Sequence, residues 1–142
     1  MKFLNRYFLI FTIALFCLYA AVVSAQVVII ANKSISVKSI DMNSLRNLYT
    51  LQSNEIGAQK VKLFFLNEDS ETDNKFLSNM GKTLLELKKI WLTAKLTGNG
   101  IPPEIVVNSA AVVDKITATP GAVGFVDSKS INGNIKVLLK ID

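Results

Sequence analysis

Two hydroxyls, Ser70 and Thr72, and four carboxylates, Glu68, Asp69, Glu71 and Asp73, fall within residues 67–74, between an apolar run and a stretch with helical spacing. A helix start offers unpaired backbone N–H groups and the positive end of the macrodipole, so hydroxyls placed there can hold an anion. Here the anions are part of the chain. The segment supports three readings: capture of phosphate, capture of something else, or capping of its own helix. Ser70 and Asp73 have capping-box spacing, with Asp in place of the usual Glu or Gln. A calcium loop is excluded, because Asn74 stands where the turn glycine is needed and Met80 where a bidentate glutamate is needed.

A second group, Asn32-Lys33-Ser34, follows a strand-like run and offers an amide, an ammonium and a hydroxyl at a strand mouth, where open α/β folds place ligands. It also reads as an ordinary polar turn, and it matches a glycosylation sequon. Thr97-Gly98-Asn99-Gly100 offers backbone N–H groups, but its glycine spacing fits neither a dinucleotide fingerprint nor a P-loop, so it reads as a turn. Lys88, Lys89 and Lys95 give one helix a basic outer surface, read as a solvated face with Glu86 and Lys89 paired across one turn.

The 142 residues contain no histidine and a single cysteine, Cys17. That cysteine lies inside an apolar N-terminal segment that reads as an export signal: Lys2 and Arg6 precede residues 8–23, and Val23-Ser24-Ala25 supplies small residues for cleavage after Ala25. Retention as an anchor is the rival reading. Ser24 and Gln26 interrupt the apolar run, and the β-branched Val27-Val28-Ile29-Ile30 suits a buried strand. Phe16 before Cys17 argues against lipid attachment, which wants a small residue there. Residues 26–142 then carry no thiol or imidazole, which argues against most nucleophilic catalysis, disulfides and ordinary zinc ligation. No metal or cofactor is expected. Two of the 16 basic residues belong to the signal, so the surplus over 11 acidic residues is too small to indicate nucleic acid.

Positioning these groups requires one domain with alternating strands and helices. Residues 27–31 and 61–66 read as buried strands, 35–37 as a short alternating piece, and 121–127 and 135–141 as two further strands with a hairpin-like turn at Asn132-Gly133-Asn134. Helices are expected from Asp41 or Asn43 through Tyr49, and from Ser70 with Phe76, Leu77 and Met80 buried. Two more are expected, from Thr83 with Leu84, Leu87, Trp91 and Ala94 buried, and from Ser109 with Val112, Val113 and Ile116 buried. Residues 96–103, with two glycines and two prolines, are expected to form a loop. The pattern is that of an α/β layer fold.

Several segments together resemble small phosphate-transporter substrate-binding-like proteins: Asn32-Lys33-Ser34, Leu45-Arg46-Asn47-Leu48-Tyr49, Ser70-Glu71-Thr72 with Phe76, Trp91, Leu96-Thr97-Gly98-Asn99-Gly100-Ile101-Pro102-Pro103 and Thr119-Pro120-Gly121-Ala122-Val123-Gly124-Phe125-Val126. These are compact relatives of the periplasmic phosphate-binding component of ABC transporters. The resemblance covers residues 26–142 and implies a type 2 periplasmic-binding-protein fold, helices packed around a mixed β-sheet, with ligand held between two small lobes. It implies a non-enzymatic exported or periplasmic protein whose partners are a small oxyanion such as phosphate and a transporter permease or other envelope protein. It also assigns ligand-binding positions to Asn32, Lys33, Ser34, Ser70 and Thr72. The family's Arg-x-x-x-Ser-Gly-Thr pattern falls on Leu66, Ser70, Glu71 and Thr72, so the bidentate cation and the open glycine backbone are both replaced. Arg46 or Lys33 would compensate if the fold brings either near. The alternative function is an envelope interaction or sensory module that keeps the fold without phosphate binding.

Overall fold

A computed structural model describes residues 24–142. The expected signal, its cleavage site and Cys17 lie outside these residues, apart from Ser24 and Ala25 at the entry. The elements run β1 (Val27–Ala31), α1 (Met42–Tyr49), β2 (Glu55–Ile56), β3 (Gln59–Lys60), β4 (Lys62–Leu66), α2 (Glu71–Met80), α3 (Leu84–Thr97), β5 (Glu104–Val106), α4 (Ser109–Ala118), β6 (Ala122–Asp127) and β7 (Lys136–Ile141). Five strands form one sheet in the order β5-β4-β6-β1-β7, and β2-β3 form a separate ribbon. The sheet is mixed: β4 runs parallel to β5 and β6, whereas β1 is antiparallel to β6 and β7. A central strand is covered on both faces, which explains why every residue of β1 is apolar and buried.

One face of the sheet carries Phe65 and Phe125 against α1, α2 and α3. Phe76 of α2 stacks on Phe125 with ring centroids 3.7 Å apart, Tyr49 packs edge-on to both, and Trp91 of α3 meets Phe65. The other face carries Phe64 and Gly124 against α4. A Cβ at Gly124 would sit 2.8 Å from Ile116 Cδ1, so the absent side chain is what lets α4 lie on β6. Among the described residues the buried core runs from Val27 to Ile141.

Helix starts follow the expected chemistry. Asp41 accepts from the Ser44 N–H at 2.7 Å, and Thr83 and Glu86 form a reciprocal capping box. The start of α4 differs: Asn108 is the cap and Ser109 is the first helical residue.

Other expectations change with the topology. Residues 35–37 form no strand, because the Lys136 ammonium binds the Ile35 and Val37 carbonyls and Gln59 binds the Ser36 N–H. The turn at residues 132–134 does not close a hairpin: β6 and β7 both pair antiparallel to β1, so they are parallel to each other with β1 between them. The β2-β3 ribbon, turning through Gly57 and Ala58 at φ 55 and 65, and the edge strand β5 were not visible in the hydrophobic pattern. Nor do the described residues form two lobes, since the main strands belong to one sheet.

Candidate functional site

The carboxyl ends of β4 and β5 deliver the starts of α2 and α4 to one end of the sheet. β4 and β5 are paired in register, with Leu66 opposite Val106, and the Asn67 N–H continues the ladder to the Val106 carbonyl. The chain then turns through Asp69 at φ 55, a left-handed conformation that Asp tolerates. Ser70 ends the turn as the N-cap of α2.

Several of the donors gathered here, the Asp69 and Ser70 N–H groups and the Ser70 and Ser109 hydroxyls, already have acceptors. Asp73 is buried, and its carboxylate accepts from the Asp69 N–H at 2.8 Å, the Ser70 N–H at 3.4 Å and the Ser70 hydroxyl at 2.8 Å. Glu68 is half-buried and accepts from the Ser70 hydroxyl at 3.4 Å and the Ser109 hydroxyl at 3.3 Å. One side-chain anion therefore bridges the first residues of two helices. Thr72 is buried in the first turn of α2, Glu71 beside it is exposed, and Leu66 is enclosed in the sheet core. Neither Ser109 as a contributor nor Glu68 as the bridging acceptor was predicted. The sequence signal was a serine at the opening of the helix after β5, which reads equally well as a cap.

Asn32, Lys33 and Ser34 lie at the other end of the sheet. Ala31 pairs with Val123, which pairs with Leu63, so β1 ends where β4 and β6 begin. The Asn32 amide donates to the Ile116 and Thr117 carbonyls at 2.8 and 3.1 Å, closing the last turn of α4, while its oxygen accepts from the Ser34 N–H at 2.9 Å. The Ser34 hydroxyl accepts from the Gly121 N–H at 2.8 Å. Lys33 is exposed. The five residues of β4 separate this group from Ser70 and Thr72 by roughly 13 Å along the strand, so the two groups do not converge on one small ion.

The compensating cations are also elsewhere. Arg46 donates to the Met80 and Asn79 carbonyls at 3.1 Å and to Asn43 at 2.9 Å, which places its guanidinium at the C-terminal end of α2, the end opposite the carboxylates. Such a cation complements the negative end of the helix dipole. Among the described residues, no three His, Cys, Asp or Glu side chains are grouped to hold a metal ion. Gly98 caps α3 at φ 71 and the Asn99 N–H returns to the Ala94 carbonyl, so the glycine-rich segment serves as a helix stop. A groove of about 480 Å³ lies beside it, between Leu51–Asn54, the side formed by Lys60, Val61 and Leu63, and Asn99–Ile101.

This α/β architecture is similar to about half of several solved structures of phosphate transport proteins. The chain is similar in structure to an ABC-type phosphate transport receptor from Vibrio cholerae (20% identity, TM-score 0.63), over 80% of this chain and 46% of that one. It is also similar to a putative phosphate ABC transporter substrate-binding protein from Clostridium perfringens with bound phosphate (14%, TM-score 0.65, 80% and 45%) and to PstS from Borrelia burgdorferi (17%, TM-score 0.57, 80% and 47%). At these identities the likeness is one of fold, and the chain spans about half the length of the structures it matches. No family model matches the sequence, and no curated protein matches it either.

Proposed function

We propose that this chain is an exported, non-enzymatic envelope module, residues 26–142 following a signal of residues 1–25, that keeps the phosphate-binding fold and acts by contacting another protein. The observation that carries this reading is the occupancy of the donors at the start of α2. Asp73 and Glu68 accept from the Ser70 hydroxyl, Asp73 also takes the Asp69 and Ser70 N–H groups, and Glu68 reaches Ser109. A free dianion arriving there meets two carboxylates and no arginine, and like charges repel most strongly where water is thin. A periplasmic or secreted location follows from the signal reading.

The uptake reading keeps phosphate or another small oxyanion as ligand, with Ser70 and Thr72 as its hydroxyl donors and Asn32, Lys33 and Ser34 as a separate contact group. The meeting of Ser70 and Ser109 hydroxyls at one acidic oxygen favours it, because the same pair could serve an oxyanion if Glu68 withdrew. Titration calorimetry with phosphate and sulfate separates the two. The interaction reading expects no binding heat for either ion together with a stoichiometric envelope partner in pull-downs. A dissociation constant below about a millimolar for phosphate would establish the uptake reading instead.

A further inference from the structure

All the large hydrophobic side chains that stand exposed among the described residues fall between Leu85 and Val107. Three belong to α3: Leu85, Leu92 and Leu96 are 63, 57 and 76% exposed. At 3.6 residues per turn they lie within about 40° of one another, on the side away from the buried Leu87, Trp91 and Ala94. Lys88 and Lys95 flank this stripe on one side and Lys89 on the other. Ile101, 86% exposed, stands in the loop just beyond the helix.

The expected pairing of Glu86 with Lys89 is not made. Glu86 turns back to the Thr83 N–H at 2.8 Å, a bond that also holds its carboxyl below the usual range, and the ion pairs among the described residues involve only Glu104 with Lys62 and Lys115. No acidic residue occurs between Glu86 and Glu104. The two threonine hydroxyls of the exposed side are engaged by the helix's own backbone: Thr93 donates to the Lys89 carbonyl at 2.9 Å and Thr97 to the Thr93 carbonyl at 2.8 Å. The outer face therefore offers apolar surface and diffuse positive charge, with little directional hydrogen bonding.

We propose that the outer face of α3, with Ile101, docks on an anionic lipid surface. The occupant must present apolar material along the centre of the stripe and negative charge on both sides. The boundary between acyl chains and phosphate headgroups does so without any register, and lysines beside leucines can extend to the headgroups while the leucines enter. A protein groove would usually add directional polar contacts, for which this face has few groups. Among the described residues no helix is long and apolar enough to cross a membrane, so the contact is peripheral. It is independent of whether the start of α2 holds an oxyanion.

The test is vesicle co-sedimentation of residues 26–142, the exported chain of the proposed function, after a cooperative melting curve has shown that it is folded. Vesicles of phosphatidylcholine alone are compared with vesicles in which about a third of the lipid is phosphatidylglycerol. Binding to the anionic vesicles only, weakened by salt, is expected. The triple variant K88Q/K89Q/K95Q should bind on the order of a hundredfold more weakly, and L85Q/L92Q/L96Q should lose binding while keeping the wild-type melting curve. K38Q/K129Q/K140Q, which removes the same charge elsewhere, should fall much less. Wild-type protein that stays in solution with both vesicles overturns the proposal, as does equal loss in the two lysine variants. Binding of a synthetic acidic amphipathic helix without vesicle binding would also overturn it and assign the face to a protein partner.

Discussion

The Ser109 hydroxyl lies 3.3 Å from Glu68 Oε1, joining residues 41 positions apart and tying the first residue of α4 to the loop that leads into α2. The same carboxylate oxygen accepts from Ser70. Parallel pairing of β4 with β5 makes this possible, because each strand releases its chain at the same end of the sheet. A carboxylate thus stands where two helix starts meet.

Removing that charge frees Ser109 but leaves Asp73 holding the Ser70 hydroxyl and the Asp69 and Ser70 N–H groups. Glu68→Ala is therefore expected to show no phosphate-dependent rise in melting temperature, like the wild-type protein. Differential scanning fluorimetry across a phosphate series reads this. A rise in Glu68→Ala that adding Ser109→Ala cancels would instead establish the hydroxyl pair as a latent oxyanion site.

Asn32 and Ser34 are expected to act on stability. Asn32→Ala leaves the Ile116 and Thr117 carbonyls without their amide partner and should cost about 1–3 kcal/mol. Ser34→Ala removes the acceptor of the Gly121 N–H and should cost about 1 kcal/mol. Urea unfolding checks both. Melting unchanged in Asn32→Ala would release this segment from its structural role and return it to the list of ligand contacts.

Tyr49 predicts behaviour at high pH. Its hydroxyl donates to the Phe64 carbonyl at 2.7 Å, and complete burial pushes the phenol far above its ordinary value. The folded state holds this proton more tightly than the unfolded chain, so the stability is fully present below the unfolded value near 10 and declines as the pH rises beyond it. Tyr49 is the sole tyrosine after residue 23, so phenolate absorbance should appear only as the protein unfolds. Smooth titration of a folded sample would contradict its burial. Tyr49→Phe should cost about 1–3 kcal/mol by orphaning the Phe64 carbonyl.

The acid side depends on Asp41, Glu86 and Glu104. Bonds from Ser44 and from the Thr83 backbone lower the first two, and the Lys115 ammonium, hydrogen-bonded to Glu104, lowers the third. Lowered carboxyls stabilise the fold above their unfolded values, and that contribution is lost as pH falls through the folded ones. The urea midpoint should therefore decline below about pH 4, and Glu104→Gln should make the decline slightly shallower. The Glu104 pair is solvent-screened, with side chains 41 and 45% exposed, so its effect should be small. A midpoint that rises on acidification would contradict this assignment.

Much of this fold was legible in residue types. The apolar run of β1, the Thr83–Glu86 capping box and the three-to-four spacing of Leu87, Trp91 and Ala94 each encode a local preference that the tertiary structure kept. The edge strand β5 was not legible, because Glu104–Val106 is three residues long and its pairing with β4 supplies what its composition lacks. The β6–β7 connection misled for a related reason: Asn-Gly signals a turn, but whether a turn closes a hairpin depends on which strand lies between its arms.

The candidate site divides in the same way. By itself the sequence determined its chemistry: hydroxyls and acids at a helix start, and the absence of thiol and imidazole after residue 25. Only the tertiary structure decided its membership. It placed Ser109 and Glu68 in the site, sent Arg46 to the far end of α2, and set Asn32 and Ser34 at the opposite end of the strands. Capping and burial are local and leave a pattern in neighbouring residues, whereas contacts between distant segments follow from strand order and direction, which the pattern of residue types leaves open.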